Sequence, residues 1–149
     1  ANGEVTRAHY ARYLVQIGKV SNDGQAFKRY LGSGKSCFVK AEWVDIPTAI
    51  DTIHAAGGVA VIAHPMRYNM TGKWIRRLIV DFKQWGGDGM EVADSGQTKD
   101  QRQYLARLAN EYDLTASLGS DFHFPCGWIE LGKNLFLPEE VKPIWTLFE

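Results

Sequence analysis

The chain has 149 residues, 45% of them hydrophobic and 12% aromatic, which suits one domain of ordinary size with a buried core and excludes an intrinsically disordered chain. Seventeen Lys and Arg balance seventeen Asp and Glu, so no overall positive field draws it to duplex DNA or to an anionic membrane, and a nucleic-acid partner has to be gripped locally. No apolar run approaches the ~20 residues of a membrane span, and Cys37 and Cys126 form no recognisable motif, so a soluble, cytoplasmic protein with free thiols is expected.

Tyr10, Ala11, Leu14, Val15 and Ile17 follow Thr6 at roughly helical spacing, with Gly18 to end the run. A second helix is expected over 22–31, where Ala26, Phe27, Tyr30 and Leu31 share a face before Gly32 and Gly34; the two make a small helical hairpin. Asp45-Ile46-Pro47 reads as the entry of a third helix, closed by Gly57-Gly58. The rhythm then changes to strands alternating with helices. Val59–Ala63 is expected as a strand buried on both faces, Trp74, Ile75, Leu78, Ile79 and Phe82 mark a helix stopped by Gly86-Gly87, and 89–93 forms a strand. Another helix carries Tyr104, Leu105, Leu108, Ala109 and Tyr112, and a last strand over 115–118 runs into Gly119-Ser120-Asp121-Phe122-His123. That order predicts an α/β fold with a mostly parallel sheet. Trp74, Trp85, Trp128 and Trp145 are expected in core or rim packing, and Cys126 as a small buried residue.

In parallel α/β folds, working residues gather where strands end. His64 follows the first strand, and Pro65 biases it towards extended backbone. Asp121 and His123 follow the last; their i, i+2 spacing on an extended segment puts both side chains on one side. Imidazole with carboxylate is ligand chemistry for zinc, iron or manganese. Gly32-Ser33-Gly34-Lys35-Ser36 looks like the tail of a P-loop, but Arg29 stands where the first glycine belongs and the preceding segment reads as helix, so a nucleotide-cradling loop is not expected. Glu91 sits near a strand end, with a supporting or structural role. Arg67, three residues past His64, is a phosphate-binding candidate; Arg7, His9, Arg12 and Lys35 in the helical segment are candidates for a second phosphate, weighed against a merely solvated face.

Gly57–Pro65 resembles the AHP motif of PHP-domain phosphoesterases, and Gly119–His123 resembles their closing GSDxH motif, in the same order and at a fitting separation. Residues 7–15 and 30–35 resemble segments of the branch whose helical insertion precedes the AHP strand, a branch of nucleoside 3′,5′-bisphosphate phosphatases and 5′-to-3′ exonucleases acting on short RNA. The resemblance implies the C-terminal part of a distorted (β/α)7 barrel, with residues 1–46 as the helical insertion and 47–149 as barrel. It also implies two or three divalent metals, manganese first and iron or zinc as alternatives, held in part by His64, Asp121 and His123, with Asp121 additionally catalytic. The implied substrate is a nucleotide or a short RNA end.

The family's opening His-x-His motif does not occur, and neither His9 nor His54 replaces the ligands that accompany it. No methionine starts the chain, which suggests a fragment or a processed form; by itself it is expected to bind metal poorly and to be inactive, with an open sheet edge covered by a missing N-terminal half or by a second copy. Two other readings stand beside this one: a PHP phosphoesterase of other specificity, such as an amino-acid-pathway phosphatase, and a non-catalytic binding or regulatory module.

Overall fold

The computed structural model describes residues 3–123, 125, 127 and 129–148; Cys126 and Trp128 lie outside the described residues. The chain divides into two compact units, Ala1–Trp43 and Val44–Glu149.

The first unit is helical. Helix α1 (Arg7–Gln16) starts where the Thr6 amide donates to His9 Nδ1 at 3.1 Å, with the Thr6 hydroxyl 2.9 Å from the same nitrogen. Helix α2 (Asp23–Ala26) is capped by Asn22, whose side chain accepts from the Gln25 amide at 2.9 Å, and it passes directly into a π turn over Phe27–Leu31. The sequence run over 22–31 is thus helical throughout but widens halfway. Ala11, Val20, Ala26 and Leu31 form the small core of this unit.

In the second unit the order is α3 (Ile46–Ala55), β1 (Val61–Ile62), a 3-10 turn over Pro65–Arg67, α4 (Gly72–Gln84), β2 (Gly89–Asp94), α5 (Lys99–Glu111), β3 (Thr115–Gly119) and a 3-10 turn over Ile144–Leu147. Helix starts follow side-chain chemistry: Asp45 accepts from the Thr48 amide at 2.9 Å, and Thr98 and Gln101 exchange bonds at 3.2 and 3.0 Å. Helix ends follow the double glycines. The amides of Gly57 and Gly58 return to His54 and Ile53, and those of Gly86 and Gly87 to Lys83 and Phe82, with Gly57 and Gly86 at φ +75° and +92°.

The three strands are parallel, in the order β1-β2-β3. Their apolar side chains join Ile50, Ile75, Ile79, Phe82, Leu105 and Leu108 of the helices in one core. Arg76 of α4 donates to both Glu111 carboxylate oxygens, at 2.7 and 2.8 Å, fastening α4 to the end of α5. That guanidinium holds the Glu111 carboxyl below its ordinary value of 4.5. The native state therefore binds fewer protons there than the unfolded chain, so this contribution is present above pH 4.5 and is lost as pH falls through the lowered folded value. Glu111→Gln is expected to lower the melting temperature at pH 6, by an amount that shrinks as pH falls below 4.5; a deficit that is the same at pH 6 and pH 3 contradicts this.

Two expectations are corrected. The first strand is two residues long rather than five, and it alternates, Val61 half-buried and Ile62 buried, instead of being covered on both faces. Among the described residues β1 is an outer strand with β2 on one side only, and an apolar cleft of about 520 Å³ runs along it, lined by Val44, Ile46, Ile53, Val61, Met70 and others. Trp74 is 62% exposed, because the inward face of α4 is occupied by Ile75, Ile79 and Phe82. Among the described residues no helix is long and apolar enough to cross a membrane.

Candidate metal and phosphate site

Parallel pairing sends the carboxyl ends of all three strands to one rim, and His64, Arg67, Asp94, Asp121 and His123 all lie in or just past those ends. A bulge between Glu91 and Ala93 shifts the β2–β3 register. Strict alternation would send Glu91 and Asp94 to opposite faces; the extra residue lets both serve the rim.

The backbone at two of these positions is not extended. His64 adopts φ 32°, ψ 56°, and Asp121 adopts φ 54°. Proline does exclude the right-handed helical region for His64, as its steric bulk requires, but the residue settles in the left-handed region instead. It is held there by its amide, which donates to Glu91 Oε2 at 2.6 Å, and by its carbonyl, which accepts from the Arg67 amide at 2.9 Å. Asp121 and His123 therefore do not project from an extended segment. His123 curls back, its Nδ1 2.7 Å from the Asp121 carbonyl oxygen and 3.7 Å from Asp121 Oδ1, and its side chain is 71% exposed. Left-handed backbone at non-glycine residues costs roughly 1–3 kcal/mol each and gathers at functional sites.

Arg67 spans the rim. Its Nε and Nη2 both lie 2.7 Å from Asp94 Oδ2, and Nη1 donates to Asp121. The Asp94 side chain is almost wholly buried, and its other oxygen accepts from the Gly96 amide at 2.7 Å. Sequence reasoning missed Asp94. Its signal was its place directly after the strand expected over 89–93, which in the structure runs on to include it. Buried Arg102 supports the same strand end, donating to the Asp94 carbonyl at 3.3 Å and stacking on Phe136 at 3.9 Å; burial pulls its guanidinium pKa down, against the field of Asp94.

Glu91 is 8% exposed, and Gly119 leaves room for it: a Cβ there would come within 2.7 Å of Glu91 Oε1. Burial pushes its carboxyl up; the His64 amide opposes this, while Asp94 and Asp121 add to it. Burial, then Glu91, likewise raises the phenol of Tyr68, whose ring meets His64 edge-on at 5.8 Å. His64 Nδ1 is buried and has no hydrogen-bond partner.

A partnerless imidazole nitrogen, on a residue whose amide binds Glu91, fits part of a donor set for a borderline divalent ion. It is only part. Among the described residues, no group of three or more His, Cys, Asp or Glu side chains is arranged to hold a metal.

The remaining candidates lie in the helical unit. His9 is half-buried and spends Nδ1 on the start of α1. Arg7 lines an apolar cleft of about 490 Å³ with Tyr10, Tyr13, Leu14 and Leu31, and Lys35 lines a separate basic cleft.

No protein-family model matches the chain. It is 81% identical over 148 residues to a 5′-3′ exoribonuclease of Haemophilus influenzae, aligning 99% of itself with 54% of that protein. It is 51% identical over 147 residues to the 5′-3′ exoribonuclease Rnm of Escherichia coli, 99% of the chain against 50% of the relative. With a 3′,5′-nucleoside bisphosphate phosphatase of Chromobacterium violaceum the identity is 42% over 146 residues, 97% of the chain against 51% of the relative. The chain thus spans about half the length of the curated relatives it matches. Among solved structures, it superposes with a TM-score of 0.80 and 42% identity on an amidohydrolase of Chromobacterium violaceum with bound sulfate and no metal, covering 95% of this chain and 49% of that one. A protein of Bifidobacterium adolescentis, provisionally assigned as a metal-dependent phosphoesterase, superposes at 0.64 with 27% identity, covering 96% and 48%.

Proposed function

We propose that this chain is the C-terminal half of a metal-dependent phosphoesterase of the PHP family, a cytoplasmic hydrolase acting on nucleoside 3′,5′-bisphosphates or on the 5′ ends of short RNA. The observation that carries the proposal is the rim itself, where His64 with its partnerless nitrogen, buried Glu91 and the Asp94–Arg67–Asp121 ion pairs meet at the ends of three parallel strands. The names borne by relatives that match almost the whole chain supply the substrate class.

His64, Asp121 and His123 would each hold a divalent ion, manganese first, with iron or zinc as alternatives. When bound, such ions lower the pKa of coordinated water and take up charge on phosphoryl oxygens. The carboxylate of Asp121 would accept the proton of the attacking water. Arg67 would serve the phosphate: Nη1, which donates to Asp121, would offer its hydrogens to a phosphoryl oxygen while Nε and Nη2 stay on Asp94. Arg7, His9 and Lys35 of the helical unit, read as the insertion, would meet the substrate's second phosphate.

The apolar cleft along β1 supports the reading of a half-barrel, since Val44 is 63% and Met70 49% exposed beside an unpaired strand edge. The strands of a missing N-terminal half would cover it.

The decisive experiment extends the chain to the length of its relatives, measures bound transition metal by mass spectrometry, and follows phosphate release from adenosine 3′,5′-bisphosphate and nucleotide release from a 5′-phosphorylated oligoribonucleotide. Metal with hydrolysis of at least one substrate is expected. Neither metal nor hydrolysis overturns the proposal in favour of a binding module.

A further inference from the structure

The neutrality of the whole chain hides a division. Residues 1–43 carry seven Lys and Arg against three Asp and Glu, a net charge of +4, while residues 44–149 carry ten against fourteen, a net charge of −4, with histidines neutral. Every ion pair among the described residues belongs to the second unit, so none of the seven cations of the helical unit is matched with a carboxylate there.

Three of those cations converge. Lys28, Arg29 and Lys35 line one cleft of about 560 Å³ with Gln25 and Tyr30. The local fold explains why. The π turn over Phe27–Leu31 sets Lys28 and Arg29 side by side, both exposed, and its end is reversed at Gly32, whose amide returns to the Phe27 carbonyl at 2.8 Å. Only glycine fits there, because a Cβ would lie 2.7 Å from that carbonyl oxygen. The following loop is then drawn back by the Cys37 amide, which donates to the Tyr30 carbonyl at 3.0 Å, and this carries Lys35 over the turn. The Gly-Ser-Gly-Lys-Ser segment thus contributes its lysine to the cleft.

We propose that this cleft binds the phosphodiester backbone of single-stranded RNA, at phosphates other than the one that reacts. The proposal rests on the reading of the chain as half of a nucleotide phosphoesterase and narrows its substrate to strands. A nucleoside bisphosphate leaves one phosphate besides the reacting one for three cations spread over two segments, whereas successive phosphates of a strand can meet each of them. Tyr30 adds a flat face on which a base can stack, and the Gln25 amide adds a neutral donor and acceptor.

The test uses the chain as it stands. Binding of a fluorescent single-stranded decaribonucleotide is followed by anisotropy across a range of salt, for the parent, for Lys28→Gln/Arg29→Gln, and for Lys19→Gln/Lys40→Gln, which removes the same charge outside the cleft. Three phosphate contacts predict a log–log salt slope of about −2 for the parent and about −0.7 for the cleft variant. The cleft variant should bind about tenfold more weakly at low salt, and the control within about twofold of the parent. No binding by the parent, parental binding by the cleft variant, or equal losses in both variants overturns the proposal. Hydrolysis plays no part in the readout. A chain that binds through the cleft but, once extended, hydrolyses nothing keeps this site and loses the proposed activity; hydrolysis without cleft-dependent binding does the reverse.

Discussion

Asp121→Asn, placed in the chain extended to its relatives' length, is expected to reduce bound metal and to cut phosphate release by at least about a hundredfold, about 3 kcal/mol of transition-state stabilisation. The substitution keeps the side chain's size while removing the charge that Arg67 Nη1 addresses and that the proposed cation would need. Asp94→Asn makes the informative contrast. Asp94 holds Arg67 through Nε and Nη2 and already spends its other oxygen on the Gly96 amide, so its loss should loosen Arg67 and raise KM while metal content stays at the parental level. If both variants lose metal alike, or Asp121→Asn keeps full metal and full activity, the division of labour drawn on this rim is wrong.

Gly89→Ala carries the largest expected effect on stability. A Cβ at Gly89 would stand 2.6 Å from Thr115 Oγ1, 2.8 Å from Thr115 O and 2.8 Å from Ile144 Cδ1. Two of those atoms belong to the residue paired with Gly89 in β3, and one of the two is backbone, so side-chain adjustment alone does not relieve the clash. Overpacking of this kind costs roughly 1–3 kcal/mol and occasionally more, and with the strands themselves forced apart the upper end, about 3 kcal/mol, is expected by denaturant titration. Gly57→Ala isolates the other way of losing a glycine. Open space surrounds that position, but φ is +75°, so only the backbone penalty of roughly 1–2 kcal/mol applies. Equal costs at the two positions would mean that β2 and β3 are not pinned where they start.

Periodicity and punctuation made most of the fold legible. Helices α3, α4 and α5 lie where apolar spacing, Asp45 and the Gly57-Gly58 and Gly86-Gly87 pairs put them, because each of these signals acts within one or two turns of chain. β1 was read too long. An apolar run reports a strand's sequence neighbours, and whether a second strand lies beyond it is decided elsewhere, so Val61 is half-covered where burial on both faces was expected. At the rim, His64, Arg67 and Asp121 were visible as residues following strands, but their backbone was not. Left-handed geometry at His64 depends on a bond to Glu91, 27 residues away. The same distance hid Asp94: nothing near it in sequence announces that Arg67 is its partner. The charge division between residues 1–43 and 44–149 is fully written in the sequence, but a net charge of zero over the whole chain conceals it.

The torsion angles at His64 and Asp121 bear on how such a chain would drift. Glycine and asparagine take positive φ more cheaply than histidine or aspartate, and neither supplies the same ligand. In a descendant with no need of the proposed hydrolysis, these two sites would be among the first to accept them, gaining stability as that chemistry is surrendered. An imidazole and a carboxylate at these two strained positions are thus what the proposed reaction would require there.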